Sequence, residues 1–172
     1  MIQFQFNSLN GDNSENIAKS VKRLCGDTIP VIVCIGSDLV VGDSLGPLVG
    51  SELINKLFGK AYVYGTLDHP ITAKEASVIS KEITVLHPHS KILVIDAAVG
   101  GDSDVGYIKI TNCGIKPGLG VNKDLPVIGN VSIIGVVAVK DSVITDLHGK
   151  TRLKTVCKMT EDITRGLVKA IS

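Results

Sequence analysis

Aromatic side chains are scarce in this chain, which has no tryptophan and only three phenylalanines and three tyrosines. Single-strand nucleic-acid binders stack bases on exposed rings, so nucleic acid is not an expected partner. An excess of one charge is missing too: eighteen basic residues stand against seventeen acidic ones, a formal +1. No global field therefore draws in polyanions or anionic lipid. Apolar runs are short. The stretch 133–139, broken only by Gly135, is far below the roughly 20 residues that span a bilayer. The opening MIQFQFNSLNGDNSE lacks the basic start and apolar run of a signal peptide. The expectation is a cytoplasmic protein that does not enter a membrane. Paired cysteine motifs are absent as well. Cys25, Cys34, Cys113 and Cys157 are dispersed with no CxxC, which reads as small, mostly buried hydrophobes rather than a redox or zinc site.

What is present is enough apolar material for one core. With 172 residues at 44% hydrophobic content, residues 1–172 are expected to form one domain. Residues 31–35 (VIVCI) and 91–96 (KILVID) are apolar, β-branched runs of the kind that form parallel strands covered on both faces. Residues 61–65 give a shorter strand between them. Leu45, Leu48, Val49, Leu53 and Leu57 form a helical stripe, with Pro47 in the first turn. Thr72 and Glu75 read as a capping box ahead of Ala76, Ile79, Ile83 and Leu86, and Pro88 stops that helix. The alternation is β-α-β-α-β. Helices over 14–24 and 152–171 would cover the sheet, while 107–110 and 127–139 have strand composition. The predicted fold is α/β, a three-layer doubly wound, mostly parallel sheet with helices on both faces.

Right-handed crossovers put the carboxyl ends of parallel strands on one edge, and in the order 2-1-3 the first and third strands are neighbours. Asp96 is expected to end the third strand, and Asp43 lies on the connection after the first. With strands about 4.8 Å apart, the two carboxylates can converge. Close together in a water-poor site, they would share a proton and serve as base and acid around a water. Slightly further apart, they would hold a divalent cation. Either residue is also a candidate for an ordinary structural task, Asp43 as a helix cap and Asp96 as a turn anchor. Asp38, on the same connection, is a weaker third candidate.

The turn Asp43-Ser-Leu-Gly-Pro47, the strand end Val94-Ile-Asp96-Ala97 and the loop Gly114-Ile-Lys-Pro-Gly-Leu-Gly-Val121 occur in this order. Together they resemble the spore germination protease, which degrades small acid-soluble spore proteins. Over nearly the whole chain the sequence is similar to the short YyaC-type, DUF1256-like sporulation proteins, placed in the same superfamily and in the wider fold of the hydrogenase maturation proteases. The resemblance implies catalytic roles for Asp43 and Asp96, a protein or peptide substrate, and an aspartic-type endopeptidase with no cofactor. The glycine loop is shared, and Gly114, Gly118 and Gly120 read as a backbone-rich rim able to approach an extended substrate. The chain departs from these relatives in two ways. It has no room for the germination protease's extra segments, and 129–135 (GNVSIIG) lacks the histidine that binds nickel in maturation proteases. Ser44 stands where a second acid often follows.

His69, between Asp68 and Pro70, faces the same sheet edge and is a candidate for shaping the cleft or ligating a metal. His87 and His89 flank Pro88 at a helix end, where exposure is expected, and His148 sits in a polar turn. Phosphate binding is disfavoured: the glycines before the second helix follow neither G-x-G-x-x-G nor a Walker spacing, and Asp38 and Asp43 would repel phosphate. The rival to a peptidase is a non-catalytic protein that uses the same cleft to bind a peptide or protein. Nothing in the sequence sets the oligomeric state.

Overall fold

Two parallel strands, β2 (Val31–Cys34) and β4 (Ile92–Gly100), form the centre of the protein. The computed structural model describes residues 3–117, 127–140 and 151–172. Around that pair lie β1 (Gln3–Asn7), β3 (Val63–Tyr64), β5 (Tyr107–Thr111) and β6 (Val131–Val139), giving a six-stranded sheet in the order β1-β5-β6-β4-β2-β3. β3, β2, β4 and β6 run parallel, and β5 and β1 add antiparallel pairings at one side. The predicted 2-1-3 arrangement is present as β3-β2-β4. The helices are α1 (Ser14–Cys25), α2 (Leu45–Lys56), α3 (Ala73–Leu86) and α4 (Leu153–Ile171).

Alternation along the central strands divides the interior. Ile32, Cys34, Leu93 and Ile95 face one core with the buried faces of α1, α2 and α4, while Val31, Val33, Ile35, Ile92 and Val94 face a second core with Ala76 and Ile83 of α3. Both faces of β2 are therefore apolar, as a parallel central strand requires. The Glu75 carboxylate accepts from the Thr72 N–H at 3.1 Å and from Thr72 Oγ1 at 2.8 Å, fixing the start of α3. The result is a three-layer α/β fold.

Three sequence expectations need correction. β4 does not end at Asp96 but continues to Gly100, because β6 pairs with it past the end of β2. β1 was not anticipated, although Gln3-Phe-Gln-Phe-Asn7 alternates strictly and packs Phe4 and Phe6 against the core. His87 is half-buried rather than exposed: its Nε2 lies 2.8 Å from Tyr64 Oη, and its ring centroid is 4.4 Å from that of Tyr62. Of the cysteines, Cys25 and Cys34 are buried, Cys113 is half-buried and Cys157 is exposed.

Candidate functional site

The chain reverses at the carboxyl end of β2 with almost no space to spare. Gly36 has φ 143°, and a β-carbon there would lie 2.0 Å from the Asp43 carbonyl oxygen and 3.1 Å from Pro47 Cδ. One face of this turn is closed by the Ser37 N–H donating to the Asp43 carbonyl at 3.1 Å, and the Asp43 N–H donates to the Val40 carbonyl at 2.9 Å. Residues Val41–Ser44 make a single 3-10 turn that runs into α2. Gly46 then presses the first turn of α2 onto the end of β2, its missing β-carbon falling 2.1 Å from the Ile35 carbonyl oxygen. Asp43 is not the cap of α2. That position is taken by Ser44, whose hydroxyl donates back to the Val41 carbonyl at 2.8 Å.

Asp96 comes from the next strand. Cys34 pairs with Ile95, and the Ile35 N–H donates to the Ile95 carbonyl at 2.8 Å, so Asp96 is the first β4 residue beyond its pairing with β2. On its other side it is in register with Ile134 of β6. It therefore sits in the crevice where the strand order reverses, the place at which doubly wound sheets bind ligands. The residue keeps some exposed surface, but protein surrounds its carboxyl, and burial pushes the pKa up to about 8. The Ala97 N–H, donating to Asp96 Oδ1 at 2.8 Å, works against that rise, and the negative charge of Asp43 adds to it. The two aspartates are thus electrostatically coupled. At neutral pH this makes Asp96 predominantly a carboxylic acid beside a second carboxyl group.

The other anticipated residues are distributed differently. His69 does reach this edge: it is exposed in a turn in which its N–H donates to Thr66 Oγ1 at 3.2 Å, two residues before Ile71, which bridges to Ile35. Asp38 is exposed on the β2–α2 connection. Among the described residues, no three His, Cys, Asp or Glu side chains gather where they could hold a metal ion. Gly114 is not brought to the aspartates. A β-carbon there would meet the Ile128 and Gly129 carbonyls at 2.2 and 2.4 Å, and the adjoining Asn130 N–H donates to Ile92 at 2.8 Å. It therefore stands at the amino end of β4, about 13 Å along the strand from Asp96. The expected glycine rim is absent at this position, because the β5–β6 connection leaves β5 at the opposite edge. Gly118 and Gly120 lie outside the described residues.

Sequence reasoning gave no role to the apolar lip beside the pair. Leu39 and Val41 are 88% and 42% exposed on the connection that carries Asp43. Their signal was only the pattern Asp38-Leu-Val-Val-Gly42 within a short turn.

Comparison with known proteins gives the chain a family. The family model described as a protein of unknown function, DUF1256, matches residues 6–166. The chain belongs to the DUF1256 family. The matched segment includes both aspartates, all four helices but the last turns of α4, and the β2–β4 crevice. This DUF1256 chain is also 37% identical over 151 residues to "Uncharacterized protein YyaC" of Bacillus subtilis (strain 168), covering 88% of this chain and 73% of that protein. Among the described residues, no helix of this DUF1256 chain is long and apolar enough to cross a membrane.

Proposed function

We propose that this protein is an aspartic-type endopeptidase whose Asp43 and Asp96 act as base and acid on a peptide bond at the carboxyl edge of the sheet. The observation that carries the reading is the placement of Asp96 in the β2–β4 crevice, where burial pushes its pKa up to about 8 and the Asp43 charge adds to the rise. A carboxylic acid that keeps its proton beside a charged carboxylate is what acid-base hydrolysis needs. In the proposed reaction the Asp43 carboxylate takes a proton from water as the water oxygen attacks the peptide carbonyl. Asp96 gives its proton to the carbonyl oxygen, producing a neutral tetrahedral diol. Collapse of the diol breaks the C–N bond, Asp43 returns its proton to the leaving nitrogen, and Asp96 recovers a proton from the diol hydroxyl. The exposed Leu39 and Val41 suit contact with an extended chain. The resemblance to the germination protease favours small acid-soluble spore proteins, in the cytoplasm of a sporulating cell or spore, as the first substrates to examine.

The test is incubation of the purified protein with small acid-soluble spore proteins, alongside Asp43→Asn and Asp96→Asn, with and without chelator. Cleavage that either substitution lowers by about a hundredfold or more, and that chelator leaves unchanged, supports the dyad. Loss on chelation would assign the two carboxylates to a divalent metal instead. Folded wild-type protein that leaves these substrates intact but retains them would favour the peptide-binding reading.

A further inference from the structure

β4 outlasts its neighbour. Its register with β2 ends at Cys34 opposite Ile95, and the Ile35 N–H makes the last bond, to the Ile95 carbonyl at 2.8 Å. Its register with β6 continues to Gly100 opposite Val139. Gly36 and Ser37 do not prolong the β2 ladder, because their N–H groups donate to the Ile71 and Asp43 carbonyls. Residues 97–100 are thus paired on one side only.

Alternation along the strand tells which groups are left over, since the N–H and C=O of successive residues point to opposite sides. The Ile95 carbonyl faces β2, so the main-chain groups of Ala97 and Val99 face the same way. The Gly100 carbonyl faces the other way and accepts from the Lys140 N–H at 2.7 Å. The irregularity between Ala98 and Val99 falls in β6, where Val137 is the extra residue, and leaves this alternation intact. The Ala97 N–H is taken by Asp96 Oδ1 at 2.8 Å, which draws that carboxyl to the open edge. Beyond it, the Ala97 carbonyl and the Val99 N–H and carbonyl have no partner among the described residues.

The Ala97 and Val99 side chains pack toward the core beneath α2 and α4. The opening therefore lies in the plane of the sheet, in line with β2, and begins at Asp96. Unpaired groups on a half-buried strand edge are a template for another strand. An added strand in either direction takes the Val99 N–H: a parallel one returns its own N–H to the Ala97 carbonyl, an antiparallel one to the Val99 carbonyl.

We infer that the substrate binds by adding its main chain to this edge of β4, as a strand that runs past Asp96 and Asp43. The inference rests on the peptidase reading for the identity of the occupant and deepens it by naming the substrate class: protein segments that are already extended and lack proline at the pairing residue. Main-chain pairing supplies the affinity with little demand on sequence, and the exposed Leu39 and Val41 are left to select side chains.

The test follows the Val99 amide. Full-length Asp43→Asn protein, expected to bind without cleaving, is titrated with overlapping peptides tiled across a small acid-soluble spore protein, and amide hydrogen exchange is read by NMR. Peptide binding is expected to slow exchange at Val99 about tenfold or more. Replacing one amide of a bound peptide by an ester, residue by residue, should weaken binding about fivefold at the position that donates to β4. A Val99 amide already as protected as that of Ala98 in the free protein would overturn the inference, as would binding by none of the peptides. Peptides that wild-type protein cleaves while Val99 stays unprotected in the complex would overturn it too, and would leave the two aspartates in their roles. Protection at Val99 with no cleavage by wild type would uphold the added strand and remove the peptidase reading.

Discussion

Gly36 and Asp43 are in backbone contact so close that any β-carbon at Gly36 would penetrate the Asp43 carbonyl oxygen, at 2.0 Å. The glycine just beyond β2 therefore sets the position of the first aspartate. Since φ at Gly36 is 143°, alanine there meets backbone strain as well as the clash.

Gly36→Ala is accordingly expected to lower stability by about 2 kcal/mol or more. Gly59→Ala is the control, because Gly59 also has positive φ, 72°, but has no atom within 4 Å of its ideal β-carbon; it should cost only about 1 kcal/mol. Urea denaturation of both variants measures the difference. Equal losses would mean that the Asp43 turn yields without resistance.

Asp96 should make the protein more stable in mild acid than in base. Its folded pKa, about 8, is raised above the ordinary 3.8. Between those values the unfolded chain releases a proton that the folded chain keeps, so stability falls as pH rises through this window and levels off above it. Asp96→Asn removes the dependence and should be more stable than wild type above pH 8 by an amount on the order of a few kcal/mol. Thermal unfolding across pH 4 to 9 checks the sign. A wild-type midpoint that rises along with pH in this window, with Asp96→Asn tracking it, would contradict a buried, protonated Asp96.

The coupling between the two aspartates is separately measurable. Burial is the largest cause of the elevated Asp96 pKa, with the Asp43 charge a smaller contribution of the same sign. Asp43→Asn should therefore lower the Asp96 pKa while leaving it well above 3.8. Carboxyl carbon NMR titration reads this directly. An unchanged Asp96 titration would show that Asp43 carries no charge near it.

How far the sequence carried these conclusions depended on the range of each signal. Apolar β-branched runs are local, so β2 and the first half of β4 were legible, and the handedness of crossovers then gave the β3-β2-β4 order. That order brought Asp43 and Asp96 to one crevice before any coordinates. The continuation of β4 to Gly100 was not legible, because Ala97-Ala-Val-Gly100 becomes a strand only through pairing with β6. Gly114 was misplaced for a similar reason: a glycine pattern reports backbone freedom, not the edge of the sheet on which the loop emerges. Asp162 was missed entirely. Beside Lys158 it looks like one more solvated helical pair, whereas the fold buries it completely against Ser8, 154 residues away.

That buried carboxylate yields the last expectation. Ser8 Oγ donates to Asp162 Oδ2 at 2.7 Å and Lys158 Nζ to Oδ1 at 2.5 Å, tying the segment after β1 to the middle of α4. Asp162 is fully buried, so loss of its cation leaves a charge that water cannot reach, and one-sided removal is the costly way to break such a pair. Lys158 is itself 30% exposed, so solvent screening reduces the penalty, and Lys158→Met should cost about 1 to 3 kcal/mol. Lys169→Met, which breaks only an exposed 3.5 Å pair with Glu15 and a hydrogen bond to Ser14, should cost about 1 kcal/mol or less. Chemical denaturation ranks the two. If Lys158→Met proved as mild as Lys169→Met, Ser8 alone would be enough to hold the Asp162 charge inside the fold.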